Sequence, residues 1–259
     1  RQALQAPPQR RVLASCEPQH LMAAHPFLDW PGPLAFAHRG GASDNPENTM
    51  PAFQHAVDLG YCFLETDVHA TSDGVLVAFH DPDLSRTCDR DGFINELPWS
   101  EVSKARVGGR QPIPLFEDLM EQFPTTRFNI DCKADSAVDG LISSLKRLGC
   151  LDRVLIGSFS DRRLRRLRAE FGDALCSSFG PVQIISLKYA GRAPWGGQVA
   201  QVPVKHGRIT VVTERSLRNA HRHGLQVHVW TIDEPDEMHR LLDLGVDGLM
   251  TDRPQVLKD

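Results

Sequence analysis

The stretch that decides the fold is FLETDVHATSDGVLVAFHD, from Phe63 to Asp81. Phe63–Val68 and Val75–Phe79 both read as apolar-biased runs of strand length. Only residues 69 to 74 lie between them. A parallel crossover needs roughly a dozen residues or more, so the two strands are expected to form an antiparallel hairpin centred near Ser72-Asp73. Outward from this hairpin, further apolar runs fall at Leu34–His38, Phe128–Asp131, Val154–Gly157, Leu175–Ser178, Val199–Val202, Val227–Trp230 and Gly248–Met250. Setting aside the hairpin return leaves eight strands that alternate with helical patterns. Eight parallel strands close a TIM-type (β/α)8 barrel of the α/β class, here with an extra antiparallel strand after the second barrel strand.

The helices carry recognisable ends. Thr49–Leu59 closes at Gly60, Ser136–Leu148 at Gly149 and Asp161–Phe171 at Gly172. Thr213 and Asp233 are predicted to cap helices that close at Gly224 and Gly245. A short helix is expected near Phe116–Phe123. Residues 180–207 are rich in Gly and Pro and predict a long loop, with at most one short helix. Residues 1–30 lack apolar periodicity and read as a loosely ordered arm, with the barrel domain over 31–259.

Composition narrows the function classes. Of 259 residues, 41% are hydrophobic and 24% charged, which excludes a disordered or fibrous chain. The 29 Lys+Arg against 33 Asp+Glu give a net charge of -4, unlike a domain that grips nucleic acid. No apolar run is long enough to span a bilayer. The six cysteines form no C-x-x-C pair and read as buried thiols of a reducing compartment. With no leader pattern in residues 1–30, a cytoplasmic location is expected, although the first residue is Arg and a start further upstream is expected too.

In such a barrel the chemistry sits at the C-terminal strand ends. There the sequence places His38 and Arg39, Glu65 and Asp67, His80, Asp131 and Lys133, and Trp230. Glu65 and Asp67 are two apart on a strand, so they share a face and repel. A hard divalent cation, Mg²⁺ or Ca²⁺, would offset this, with Asp131 as a third oxygen ligand. Ion pairs to Lys133 or Arg39 are the metal-free alternative. The hairpin centre sets Glu65 opposite His80, beside the first-strand His38. Two histidines near a metal suit base and acid roles in phosphoryl transfer. Arg39 and Lys133 suit phosphate binding. Trp230 is either core or a pocket wall. The other histidines read as surface helix residues.

These residues occur in a pattern that resembles the glycerophosphodiester phosphodiesterase family. His38-Arg39-Gly40-Gly41-Ala42 followed by Pro46-Glu47-Asn48-Thr49 is similar to its opening signature. Glu65-x-Asp67-Val68, Thr71-x-Asp73-Gly74, His80-Asp81, Asp131-x-Lys133, Ser158-Phe159, Val229-Trp230-Thr231 and Asp247-Gly248-x-x-Thr251-Asp252-x-Pro254 follow in order. The resemblance implies metal-dependent hydrolysis of small-molecule glycerophosphodiesters to glycerol 3-phosphate and an alcohol. It implies His38 and His80 as general acid and base, Glu65 and Asp67 as metal ligands, and Arg39, Lys133 and Trp230 as substrate-binding residues. Glu47 would orient His38 or join the metal shell. Asp131 stands where the family usually has Glu. The attacking group, water or the substrate 2-hydroxyl, stays open. A lysophospholipase D or phospholipase C acting on lipids is the alternative. It calls for an apolar rim, and the rim loops show no obvious apolar cluster in sequence.

Overall fold

The computed structural model describes residues 25–193 and 196–259. In chain order its strands are β1 (Leu34–Ala37), β2 (Phe63–Ala70), β3 (Leu76–Ala78), β4 (Arg106–Val107), β5 (Gln111–Pro112), β6 (Arg127–Cys132), β7 (Val154–Gly157), β8 (Cys176–Ser177), β9 (Val199–Pro203), β10 (Lys205–His206), β11 (Ile209–Thr210), β12 (Gln226–Trp230) and β13 (Gly248–Thr251). The helices are α1 (Met50–Asp58), α2 (Trp99–Val102), α3 (Phe116–Gln122), α4 (Ala137–Leu148), α5 (Asp161–Phe171), α6 (Pro181–Ile185), α7 (Glu214–Arg222), α8 (Pro235–Leu244) and α9 (Pro254–Lys258).

Eight parallel strands run in the order β8-β7-β6-β2-β1-β13-β12-β9. A single parallel bridge, Ser178 to Val199, joins the ends into the expected barrel. β3 pairs antiparallel with β2, as the short link requires. Its register pairs Val68 with Ala78 and Ala70 with Leu76, which centres the hairpin on Asp73. The expected pairing of Glu65 with His80 is therefore wrong by one residue. Thr71 sets the turn: its hydroxyl accepts from the Val75 N–H at 3.0 Å and its carbonyl from the Gly74 N–H. His80 still reaches the rim because β3 ends at Ala78, and the Phe79 N–H bonds back to the Asp67 carbonyl.

The helix ends follow the sequence signals. Thr49, Ser160 and Thr213 cap α1, α5 and α7 with their side chains. Gly149 and Gly245 end α4 and α8 in the left-handed region. Asp233, expected to cap α8, does not; Glu234 takes that position. The Asp233 carboxylate is drawn away by the Thr251 hydroxyl and the Asp252 N–H, at 2.9 and 2.8 Å. The region expected as a long loop holds α6, a π turn over Ser186–Ala190, and the β10–β11 hairpin.

The barrel interior is graded. Along β2 the inward positions read Phe63, Glu65, Asp67, apolar at one end and acidic at the other. Leu34, Phe36, Phe63, Leu155, Cys176, Val199 and Met250 fill the apolar end. Phe27, Leu28 and Trp30 plug it, each less than a tenth exposed. Trp30 meets Phe63 edge-on at 5.1 Å, and the Arg127 guanidinium lies over both rings. The loose-arm expectation thus fails for residues 25–30, because an open barrel bottom is apolar surface that something must cover. Its remaining part, residues 1–24, lies outside the described residues. Two further corrections follow from burial and bonding. His25, His69 and His228 are buried rather than on helix surfaces. Cys62 is disulfide-bonded, while Cys88, Cys132, Cys150 and Cys176 are free. Among the described residues no helix is long and apolar enough to cross a membrane.

Candidate active site

At the acidic end of the barrel lies a cavity of about 430 Å³ lined by His38, Arg39, Glu65, Asp67, His80, Asp131, Lys133 and Trp230, among others. All the rim residues expected from strand ends are therefore brought together. Glu47 is not on this wall but directly behind it.

The loop after β1 is shaped by unusual backbone. Arg39 and Asn48 adopt φ of 53° and 54°, uncommon for residues other than glycine. The Asn48 N–H bonds the Arg39 carbonyl at 2.9 Å, so the two hold each other. This turns the Arg39 N–H onto the Glu65 carboxylate at 3.0 Å. Asn48 donates to Asp67 at 3.0 Å and accepts from Thr66 at 2.8 Å. Gly40 lets the loop rest on α1: a Cβ there would stand 2.8 Å from the Phe53 backbone nitrogen.

The charges are interlocked. The Lys133 ammonium lies 2.9 Å from Asp67 and 2.8 Å from Asp131, the two residues paired in register across β2 and β6. The Arg39 guanidinium bonds Glu47 at 2.9 Å and lies 3.4 Å from Asp67. Asp67 and Asp131 are thus ion-paired to Lys133, and Asp67 also to Arg39. Burial would raise the Asp67 pKa, but Lys133 and Arg39 outweigh it and hold the carboxyl below its ordinary value. Burial would likewise lower Lys133, but Asp67 and Asp131 hold it raised. Beside Glu65 the favourable charges, His38 at 3.8 Å and Lys133, are outweighed. Burial, and then the charge on Asp67, push it up to about 7.

Both histidines are anchored in the same way. His38 Nδ1 meets the Asp252 carboxylate at 2.7 Å, leaving Nε2 toward the cavity, 3.8 Å from Glu65. His80 Nδ1 meets Asp81 at 2.5 Å. Burial would lower the His38 pKa, but the charges of Glu65 and Asp252 leave it raised. Asp81 is bound in turn by Arg86, whose guanidinium also grips Glu47 at 2.5 and 3.1 Å. Glu47 therefore does not orient His38; it links Arg39 to Arg86, and Asp252 is the partner of His38. Asp252, Asp81 and Asn48 lay inside recognised motifs with no role given them. Arg86 had no signal in the sequence at all.

The donors suit a hard cation in kind. All are carboxylates, and Asp131 Oδ1 is buried with no hydrogen-bond partner. Among the described residues, however, no three His, Cys, Asp or Glu side chains converge on one point as arranged. Lys133 stands between Asp67 and Asp131.

The other half of the cavity is apolar. Trp230 meets Phe159 edge-on at 5.7 Å, and Ile185, Tyr189 and Ile209 continue the wall. These three, with Phe159 and Val182, are among the exposed large apolar side chains. The expectation of a rim without an apolar cluster is overturned. Val182, Ile185 and Tyr189 lie on the continuous helical stretch 181–190, within the region expected as a long loop, whereas Phe159 and Ile209 come from β7's loop and β11.

The model of the glycerophosphoryl diester phosphodiesterase family matches residues 38–139 and 128–256. The chain is 42% identical over 243 residues to a probable glycerophosphodiester phosphodiesterase 2 of Mycobacterium tuberculosis, covering 90% of this chain and 92% of the relative. It is 29% identical over 268 residues to a lysophospholipase D of Mus musculus, covering 86% and 84%. Among solved structures, an Oleispira antarctica phosphodiesterase in complex with the product sn-glycerol-3-phosphate superposes with a TM-score of 0.74 at 22% identity, over 87% of this chain and 95% of that one. A glycerophosphodiester phosphodiesterase of Agrobacterium tumefaciens gives 0.74 at 21%, over 88% and 100%.

Proposed function

The chain belongs to the glycerophosphoryl diester phosphodiesterase family, and on that premise we propose that it hydrolyses glycerophosphodiesters to glycerol 3-phosphate and an alcohol by proton transfer through His38 and His80. The observation that carries this reading is the matched pair of histidines on one cavity. Each has Nδ1 on a carboxylate, so each offers Nε2 for proton transfer. One removes a proton from the attacking oxygen, and the other protonates the departing alkoxide. Glu65, Asp67 and Asp131 would hold a divalent metal, Mg²⁺ or Ca²⁺, which supplies Lewis-acid stabilisation of phosphoryl charge. Arg39 and Lys133 bring positive charge to the phosphate, and Trp230 bounds the alcohol side.

The test is release of glycerol 3-phosphate from soluble diesters. Expected is metal-dependent release, silenced by EDTA, and a loss of roughly 10²–10⁴ in kcat for His38→Ala and His80→Ala. Near-full turnover in either variant would overturn the assignment. The apolar half of the cavity, together with the likeness to a lysophospholipase D, favours a second reading in which lipids are substrates. Higher activity on lysolipids than on soluble diesters would select it.

A further inference from the structure

The mouth of the cavity has a lip that is apolar and basic at once. Val182, Ile185, Tyr189, Ile209 and Phe159 are 66, 57, 66, 46 and 65% exposed. All but Val182 line the cavity, and Val182 precedes Ile185 by about one turn of α6. Single exposed apolar residues are ordinary, whereas a contiguous group rimmed by charge marks an interaction surface.

Charge selects the partner. Between Asp173 and Glu214 the sequence contains no acid, yet it carries Lys188, Arg192, Lys205 and Arg208 in a chain of net charge -4. On α5, by contrast, Arg162, Arg163 and Arg166 pair with Asp135 and Asp139. On the lip, Lys205 faces Glu237 of α8, and the acid that reaches α6, Asp161, accepts the Val182 N–H. Lys188 donates to the Thr210 carbonyl at 2.6 Å and lies over the Tyr189 ring. Arg192 and Arg208 are exposed and make no ion pair with a described acid.

We propose that this lip docks the enzyme on an anionic lipid bilayer. The apolar side chains enter the headgroup layer, and Lys188, Arg192 and Arg208 meet lipid phosphates. What docking delivers to the cavity rests on the phosphodiesterase reading; the surface itself is argued from exposure and charge.

The experiment is co-sedimentation of the full chain with vesicles of phosphatidylcholine, with and without phosphatidylglycerol. Binding is expected only with the anionic lipid, and it weakens as salt rises. The double variant Arg192→Gln/Arg208→Gln binds roughly 30-fold more weakly, from about fivefold per cation. Val182→Asp weakens binding as well. None of these positions lines the cavity, so hydrolysis of soluble glycerophosphocholine stays at the parent level and reports an intact fold. No binding to anionic vesicles, equal binding to both vesicle types, or parental binding by the variants overturns the proposal. Self-association that Val182→Asp abolishes, without vesicle binding, overturns it in favour of a second copy on the lip. Vesicle binding by a chain that cleaves no diester leaves docking standing and defeats the phosphodiesterase reading instead.

Discussion

The bond between His38 and Asp252 makes a sharp prediction. The 2.7 Å contact joins Nδ1 to a carboxylate whose side chain is 34% exposed. A hydrogen bond to a charged group contributes about 1.5–3 kcal/mol, and exposure argues for the lower half of that range. Asp252→Ala should therefore cost about 1.5–2 kcal/mol of transition-state stabilisation, roughly 10- to 30-fold in kcat. Asp252 does not line the cavity, so KM should hardly move. Asp252→Asn should be worse than Ala, because its amide N–H can donate to Nδ1 and hold the proton on Nε2. That tautomer cannot act as a base. The sign of the pH effect follows from the same contact. The carboxylate helps raise the His38 pKa, so its removal lowers that pKa. Whichever limb of the kcat profile His38 governs then moves to lower pH. The assay is glycerol 3-phosphate release across pH, with thermal unfolding as a fold control. Turnover within about threefold of the parent for both variants, beside an inactive His38→Ala, would refute the reasoning.

Three further outcomes are expected. Arg86 and His80 outweigh burial and hold the Asp81 carboxyl down at about 2, so its stabilisation is present above the ordinary carboxylate range and is lost as pH falls through about 2; Arg86→Ala should move its midpoint upward in carboxyl NMR titration. His228 is fully buried, and burial pushes it down to about 3. The unfolded chain binds that proton first, so stability is full above about pH 6.5 and falls toward pH 3. Near pH 5 the loss is about 2 kcal/mol, and His228→Gln should flatten this slope in denaturant titrations. Phe27→Ala should cost about 3–5 kcal/mol of stability while leaving turnover at the active end intact.

Most of the frame was legible because its signals are local. Thr49, Ser160 and Thr213 cap where the sequence says a helix begins, and a six-residue link such as 69–74 admits only a hairpin. What escaped depends on competition or on distant partners. Asp233 is a good cap by type, but two donors from the end of β13 claim its carboxylate. The hairpin slipped by one residue because the Thr71 hydroxyl binds the turn unsymmetrically. The cavity residues were visible as strand-end positions, whereas Asp252 meets His38 across 214 residues of chain. The apolar lip is assembled from three separate segments, around Phe159, 182–189 and Ile209, and Phe27 looked unstructured because its partners lie on strands yet to come.

The barrel is closed at one place by a single bridge, Ser178 to Val199, while β2 and β6 share six paired positions. The thin seam borders the apolar half of the cavity, and the broad ladder carries the carboxylates. Insertions or substitutions along 178–211 can thus remodel what the enzyme accepts without disturbing the spacing of Asp67 and Asp131.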